Sequence, residues 1–261
     1  MHVRTLILAL ASVLSAGAVH AEDLREFCAD RPGKGTPPCI IDQGHFDIEV
    51  GVADATLQRR GGLHVTGYAL GGTELRLGLS PTLEVQASWT PLIVEKDRGS
   101  PRRSGYDDLT LGFETALTPP DQTNPAMAFQ AFVTAPTASH GMGAGGWSGG
   151  ARLPAQLPLG ADLSLSLSPE IDIARDSDGR GVHLALASAV SIDRSFRKLG
   201  LSAEAWAGFD DDPAGRTYQA SVDFSAAYAV SDNVQVDAGV NFGLTHATSD
   251  IQVSAGIARR F

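Results

Sequence analysis

The chain contains polar and nucleophilic residues, but their spacing matches none of the common catalytic patterns. A serine hydrolase built on a β-strand needs His and Ser two residues apart, so that both side chains share one face. None of the seven histidines is followed by Ser at that distance, and Ser139 and His140 are adjacent, which points them to opposite faces of a strand. A triad assembled from distant strands is the remaining enzymatic alternative. The Gly-rich residues 141–146 lack the Lys-Ser or Lys-Thr ending of a phosphate-binding loop, which favours an exposed loop.

Two acidic runs, at residues 176–178 and 210–212, offer carboxylates to a cation. They are consistent with calcium binding between loops or with solvated loop acids, the commoner case. A zinc or redox site at Cys28 and Cys39 is disfavoured, because only His45 lies nearby and redox motifs use a two-residue spacer. We therefore predict no catalytic, cofactor-binding or metal-binding residues, no cofactor and no enzymatic activity.

The composition excludes several classes of protein. The 261 residues include 20 Lys and Arg against 30 Asp and Glu, which gives a formal net charge of -10. This excess of acids argues against a nucleic-acid partner, because a phosphate-binding surface needs clustered Lys and Arg. A hydrophobic content of 43% is too high for a disordered chain.

The first residues have the form of an export signal. His2 and Arg4 belong to a short basic start, an apolar run follows, and Val19 and Ala21 suit the specificity of signal peptidase. The run is shorter than the roughly 18 apolar residues of a membrane anchor. We therefore predict that residues 1–21 are a signal peptide cleaved after Ala21.

Residues 22–43 are predicted to form a periplasmic N-terminal segment. The segment is rich in Pro and Gly and has neither a strand period nor a helix period. Because export places Cys28 and Cys39 in an oxidising compartment, a pair this close should form a structural disulfide. Closing so short a loop contributes about 2–3 kcal/mol by loop-entropy estimates. The segment precedes the first strand directly, so it is a candidate plug or a periplasmic contact.

From Gly44 onward the chain alternates between apolar and polar residues almost to its end, as residues 46–52 and 163–173 illustrate. A period of two predicts strands with one apolar and one polar face, and the turn signals separate about 12 of them. A soluble sandwich or barrel would bury the apolar faces, whereas a membrane barrel turns them towards lipid. Alternation by itself does not distinguish the two.

Three features favour the membrane barrel. Short turns alternate with longer loops, and the number of strands is even. The last residue, Phe261, ends a strand whose Ile251, Val253 and Ile257 share one face, and such a terminal aromatic resembles the signal that the outer-membrane assembly machinery reads. We predict an all-β fold in which residues 44–261 form a transmembrane antiparallel β-barrel in the outer membrane of a Gram-negative bacterium. Outer-membrane lipids and the assembly machinery are the predicted partners.

If the apolar faces point outward, the polar faces line a lumen with far more acids than bases. The residues assigned to this lining are Asp47, Glu49, Glu74, Arg76, Glu84, Asp108, Glu114, Arg152, Glu170, Asp172, Asp193, Glu204, Asp223 and Asp237. Such a lumen should attract cations, because low-dielectric walls focus the field of the carboxylates. In a barrel of this size, side chains or the N-terminal segment could also close the lumen.

Two segments resemble a known family. Residues 27–33 read Phe-Cys-Ala-Asp-Arg-Pro-Gly and lead to a Pro-Pro-Cys closure at residues 37–39, while Gly105, Asp108 and Gly112 follow the order Gly-x-x-Asp-x-x-x-Gly. The sequence is similar to predicted proteobacterial outer-membrane transporters that are often labelled as related to the MetA pathway of phenol degradation. This resemblance implies a barrel for the passage of small compounds, aromatic ones among them.

Taken with the barrel pattern, these observations predict a passive outer-membrane channel or transporter for small solutes, aromatic or cationic compounds among them. A closed-lumen barrel with a structural or interaction role is the alternative. An outer-membrane lipid hydrolase is the third and weakest interpretation.

Overall fold

A computed structural model describes residues 24–60, 63–119, 125–160 and 162–261. The predicted signal peptide, residues 1–21, lies outside this part. Within it, no helix has both the length and the apolar character needed to span a membrane.

Sixteen β-strands make up one continuous antiparallel sheet in the described part of the chain. Their bounds are β1 Phe46–Arg60, β2 Leu63–Leu70, β3 Gly72–Ser80, β4 Leu83–Trp89, β5 Leu92–Asp97, β6 Arg103–Gly105, β7 Leu109–Ala116, β8 Ala126–Ala135, β9 Ser148–Arg152, β10 Ala155–Gly160, β11 Leu163–Arg175, β12 Val182–Phe196, β13 Leu199–Asp210, β14 Thr217–Ser231, β15 Val234–Gly243 and β16 Ile251–Arg260.

The sheet closes on itself as a 12-stranded barrel. Four pairs of strands (β2 with β3, β4 with β5, β6 with β7, and β9 with β10) each continue one another across a short break, which reduces sixteen strands to twelve around the ring. The seam joins β1 to β16 from Asp47 opposite Arg260 to Leu57 opposite Ile251. The predicted fold class, a transmembrane antiparallel barrel of about 12 strands, is confirmed.

The strands extend further at one end of the barrel than the sequence pattern indicated. Residues 58–62 and 95–105 are polar and contain Gly, which predicts loops from the sequence, but β1 pairs with β2 up to Arg60 opposite Leu63, and β5 pairs with β6. Backbone pairing needs no apolar alternation where a strand projects beyond the membrane, because both of its faces can then be polar. The loop assignment was therefore wrong for these strand ends.

The two ends of the barrel differ in their connections. The connections after β3, β10, β12 and β14 are short, with Asp162 and Arg197 at positive φ in two of them. The connection after β7, at residues 117–125, lies at the same end and is longer. The other end carries short connections after β1 and β5 and longer ones at residues 136–147, 176–181, 211–216 and 244–250. We call these the turn end and the loop end. In bacterial outer-membrane barrels the short turns face the periplasm and the long loops face the outside.

The wall of the barrel alternates in burial as the sequence alternates in polarity. On β12, Val190 and Ile192 are exposed on the outer surface, while Ser191 between them is buried towards the interior. At the turn end, the rings of Phe46 and Phe261 stack with centroids 4.8 Å apart and cover the seam. The apolar side chains therefore face the surroundings, and the interior of the barrel is polar.

Candidate functional site

The N-terminal segment, residues 24–43, crosses the interior of the barrel. The backbone N–H of Ile41 donates to Glu84 on β4 at 2.7 Å, and that of Lys34 donates to Glu204 on β13 at 3.0 Å. These two strands lie six apart around a ring of twelve, on opposite walls. Since the segment contacts both walls, it spans the lumen, and we refer to it as the plug.

Arg76, on the inner face of β3, holds the plug on one wall. Its side chain is fully buried and donates to Oε1 of Glu84 at 2.8 Å, while Nη1 lies 3.0 Å from Oδ1 of Asp30. The same guanidinium donates to the backbone oxygens of Cys28 at 2.9 Å and Cys39 at 2.7 Å. Arg76 therefore holds both ends of the loop that the cysteines close.

Cys28 and Cys39 form a disulfide, with Cα atoms 6.4 Å apart. The predicted bond is present, and it lies in the lumen, where the Arg76 side chain reaches the backbone on either side of it. The bond makes residues 28–39 a closed loop rather than a free strand. A closed loop loses less conformational entropy when it docks, which favours its retention in the lumen.

On the opposite wall, Glu204 of β13 accepts two backbone N–H groups of the plug. Its carboxylate binds the N–H of Lys34 at 3.0 Å and that of Gly35 at 3.1 Å. The ammonium of Lys34 donates to Ser221 Oγ at 2.6 Å and lies 3.4 Å from Oδ2 of Asp223. The plug thus supplies a cation where the wall supplies acids.

Further contacts tie the plug to the seam. Glu49 of β1 accepts the backbone N–H groups of Asp30 and Arg31 at 2.8 and 2.9 Å. The guanidinium of Arg31 pairs with Asp237 of β15 at 3.1 Å. Nearer the turn end, Arg260 pairs with Asp42 at 3.0 Å. Carboxylates of the wall and basic groups of the plug therefore neutralise one another in part.

The residues assigned to the lumen lining from the sequence lie on the inner side of the barrel, in two groups. Buried are Asp47, Glu49, Arg76, Glu84, Asp108, Glu114, Glu204, Asp223 and Asp237. Intermediate in exposure are Glu74, Arg152, Glu170, Asp172 and Asp193. Asp108 has an additional role, since its carboxylate accepts the backbone N–H groups of Ala138 at 2.7 Å and Ala144 at 2.8 Å and holds the loop at residues 136–147.

Small cavities remain beside the plug. One of about 240 Å³ is bordered by Arg31, Glu49, Glu74 and Thr110. A second, of about 170 Å³, is bordered by Glu74 and by polar groups of neighbouring strands, among them Arg152. Glu74 borders both cavities, which places its carboxylate between them.

Sequence reasoning missed three basic groups of the interior. Arg260 could have been found, because its even position places it on the face opposite to the exposed apolar residues of β16. Arg31 and Lys34 carry no such signal, because they lie in a segment without periodicity. Arg152, which was assigned to the lumen, pairs with Glu170 at 2.8 Å.

The geometry defines a class of protein: a closed β-barrel with an apolar outer wall, a polar inner wall and a disulfide-closed plug, as in an outer-membrane barrel. The chain belongs to the family described as the putative MetA-pathway of phenol degradation, whose model matches residues 29–261. No match was found among the curated proteins.

Solved structures of outer-membrane barrels share the fold. The COG4313 outer membrane channel from Pseudomonas putida F1 is 13% identical, with a TM-score of 0.71 over 85% of this chain and 97% of that chain. The NanC porin is 8% identical, with a TM-score of 0.52 over 82% and 98%. The translocator domain of the autotransporter NalP from Neisseria meningitidis is 14% identical, with a TM-score of 0.52 over 89% and 90%. At these identities the likeness concerns the fold.

Proposed function

We propose that the protein is a passive outer-membrane channel for small solutes and that the plug controls its passage. The observation that carries the proposal is the polar, predominantly acidic interior of a closed barrel with an apolar exterior. Two of the similar structures are described as an outer membrane channel and a porin, which supports this class of function. The proposal places the mature chain, after removal of residues 1–21, in the outer membrane of a Gram-negative bacterium.

The charges of the lumen favour cationic or neutral solutes. Twelve acids are assigned to the lining. The basic groups that pair with acids in the same interior, among the described residues, are Arg31, Lys34, Arg76, Arg152 and Arg260. The acids remain in excess, and several of their oxygens, including both of Asp47 and one of Glu114, have no hydrogen-bond partner among the described residues. An interior of this charge lowers the energy of a cation and raises that of an anion. The family name and the cavity sizes are consistent with small aromatic compounds among the solutes.

Reversal potentials in planar bilayers across a salt gradient test the proposed preference. We expect the purified barrel to favour cations, and Glu74→Gln to reduce the ratio of cation to anion permeability because Glu74 borders both cavities. Glu95→Gln is the matched control, since Glu95 pairs with Arg103 in exposed positions at the loop end. An anion preference in the wild-type protein would contradict the proposal.

The second candidate function is a structural barrel with a permanently closed lumen. It is supported by the attachment of the plug to opposite walls, through Glu84 and Glu204. Conductance of the wild-type protein and of a variant with a loosened plug distinguishes the two functions. A channel conducts in the wild-type state and conducts more when the plug is loosened, whereas a structural barrel that the plug keeps closed conducts only in the variant.

We further propose that the protein is not an enzyme and that its partners are lipids, small solutes and the assembly machinery that reads Phe261. The same barrel preparation, assayed for release of fatty acid from phospholipid or lipopolysaccharide, tests the first statement. Release above a heat-inactivated control would support the lipid-hydrolase alternative instead.

A further inference from the structure

A histidine and three aspartates meet at the loop end, outside the plugged part of the lumen. His183 lies near the start of β12, and Asp210 ends the neighbouring strand β13. The two strands stay paired up to this level, where the backbone N–H of Asp211 donates to the carbonyl of Leu184 at 3.1 Å. Asp176 and Asp212 come from the adjoining loops. The sheet therefore brings together residues that are far apart in sequence.

The imidazole of His183 is held in one orientation. Its side chain is only 6% exposed, and Nδ1 lies 2.9 Å from Oδ1 of Asp176. On the other side of the ring, Nε2 lies 3.0 Å from Oδ1 of Asp210, and it is a buried atom that makes no hydrogen bond. A neutral ring that donates its Nδ1 proton to Asp176 has the lone pair of Nε2 on the side of Asp210, which is the form that binds a cation.

Asp212 completes the group. One ligand atom each from His183, Asp210 and Asp212 lies within 4.8 Å of the other two. Asp212 is positioned by the backbone N–H of Ala214 at 2.7 Å and that of Ser177 at 2.9 Å. Each of its oxygens keeps a second lone pair for a cation.

Neighbouring arginines are engaged elsewhere. Arg216 pairs with Asp211 at 2.5 Å, and Arg175 donates to the carbonyl of Gly179. Neither contact is made to Asp210 or Asp212. Neither Asp210 nor Asp212 therefore has an arginine partner in the described part of the chain, and both can bind another cation.

From this geometry we propose that His183, Asp210 and Asp212 bind a divalent transition-metal cation that pins the two loops at residues 176–181 and 211–216 together. One imidazole nitrogen and two carboxylates are a donor set suited to zinc, whereas calcium sites use oxygen alone. Asp176 serves as the outer carboxylate that orients the ring, an arrangement common at metal-bound histidines. The site is independent of the proposed passage of solutes.

Isothermal titration of the untagged barrel in detergent with Zn²⁺ tests the proposal. We expect one equivalent to bind the wild-type protein and no saturable binding at this site in His183→Ala or Asp210→Asn. Asp176→Asn should weaken Zn²⁺ binding about 10–100-fold, the usual effect of removing an outer-shell partner. Asp211→Asn, which alters the neighbouring aspartate outside the group, should bind as the wild type does.

Heat-modifiable migration on gels verifies that each variant is a folded barrel before titration. The proposal is overturned if the wild type shows no saturable Zn²⁺ binding, which would leave His183 as an imidazolium held between two aspartates. It is also overturned if His183→Ala and Asp210→Asn, whichever of them folds, bind Zn²⁺ as tightly as the wild type.

Discussion

Replacing Arg76 by Met should destabilise the folded protein and release the plug from its wall. The side chains of Arg76 and Glu84 are both fully buried and lie 2.8 Å apart. Removing one partner of a buried ion pair costs roughly 3–5 kcal/mol, because the remaining charge is left without compensation. The hydrogen bonds to the carbonyls of Cys28 and Cys39 are lost as well, each worth about 1.5–3 kcal/mol for a charged donor. Part of this is the same desolvation energy, so we expect a loss of at least about 3 kcal/mol.

Two measurements test the effect of the Arg76→Met substitution. Urea unfolding in detergent, monitored by tryptophan fluorescence, gives the change in the free energy of unfolding. Limited trypsin digestion reports on the plug, because the Lys34–Gly35 bond is protected while the plug is docked and should be cleaved when it is released. The matched control is Arg216→Met, which removes an exposed pair with Asp211 and should cost about 0–1 kcal/mol.

A double variant separates the loss of the pair from the burial of an unpaired charge. In Arg76→Met with Glu84→Gln, no charge from this pair stays behind, so part of the lost stability should return. If the double variant is as unstable as Arg76→Met, uncompensated charge is not the cause. If Arg76→Met unfolds within about 1 kcal/mol of the wild type and stays resistant to trypsin, the role assigned to Arg76 is refuted.

Three further predictions concern the disulfide, the outer wall and the C-terminus. Cys39→Ser should cost about 2–3 kcal/mol by loop entropy and expose the plug to trypsin, and urea unfolding and digestion measure both effects. Val190→Arg places a charge on the lipid face and should cost roughly 2–4 kcal/mol if the site is near the membrane midplane, which lowers the folded fraction on heat-modifiable gels. Deleting Phe261 removes its stacking with Phe46 and should reduce the amount of folded barrel in the outer membrane.

Each of these changes has a conservative counterpart. Val190→Ala keeps the outer wall apolar and should fold normally; equal folding of the Ala and Arg variants would contradict the assignment of that wall to lipid. Phe261→Tyr keeps the terminal ring and should assemble, so a defect as large as that of the deletion would argue against recognition of the aromatic ring. Unchanged trypsin resistance in Cys39→Ser would show that wall contacts alone retain the plug.

The barrel itself could be predicted from the sequence, because its signal is local. Alternation with a period of two appears within each strand, as in β11 and β12, and turn residues mark the strand ends at the turn end. Even the inward position of Arg260 follows from the alternation, because Arg260 occupies an even position on β16 and the exposed apolar residues of that strand occupy odd positions. The pattern failed at the loop end, where β5 and β6 carry polar residues on both faces.

The sequence by itself determined the approximate number of strands, the apolar face of the strands that alternate and the pairing of Cys28 with Cys39. Only the tertiary structure decided what occupies the lumen, because Lys34 meets Glu204 and Arg31 meets Asp237 across separations of 170 and 206 residues. The register between β12 and β13 likewise brings His183 to Asp210 at the loop end. A local period encodes which way a side chain points from its strand, whereas the partner it meets depends on register and closure, which are properties of the whole barrel.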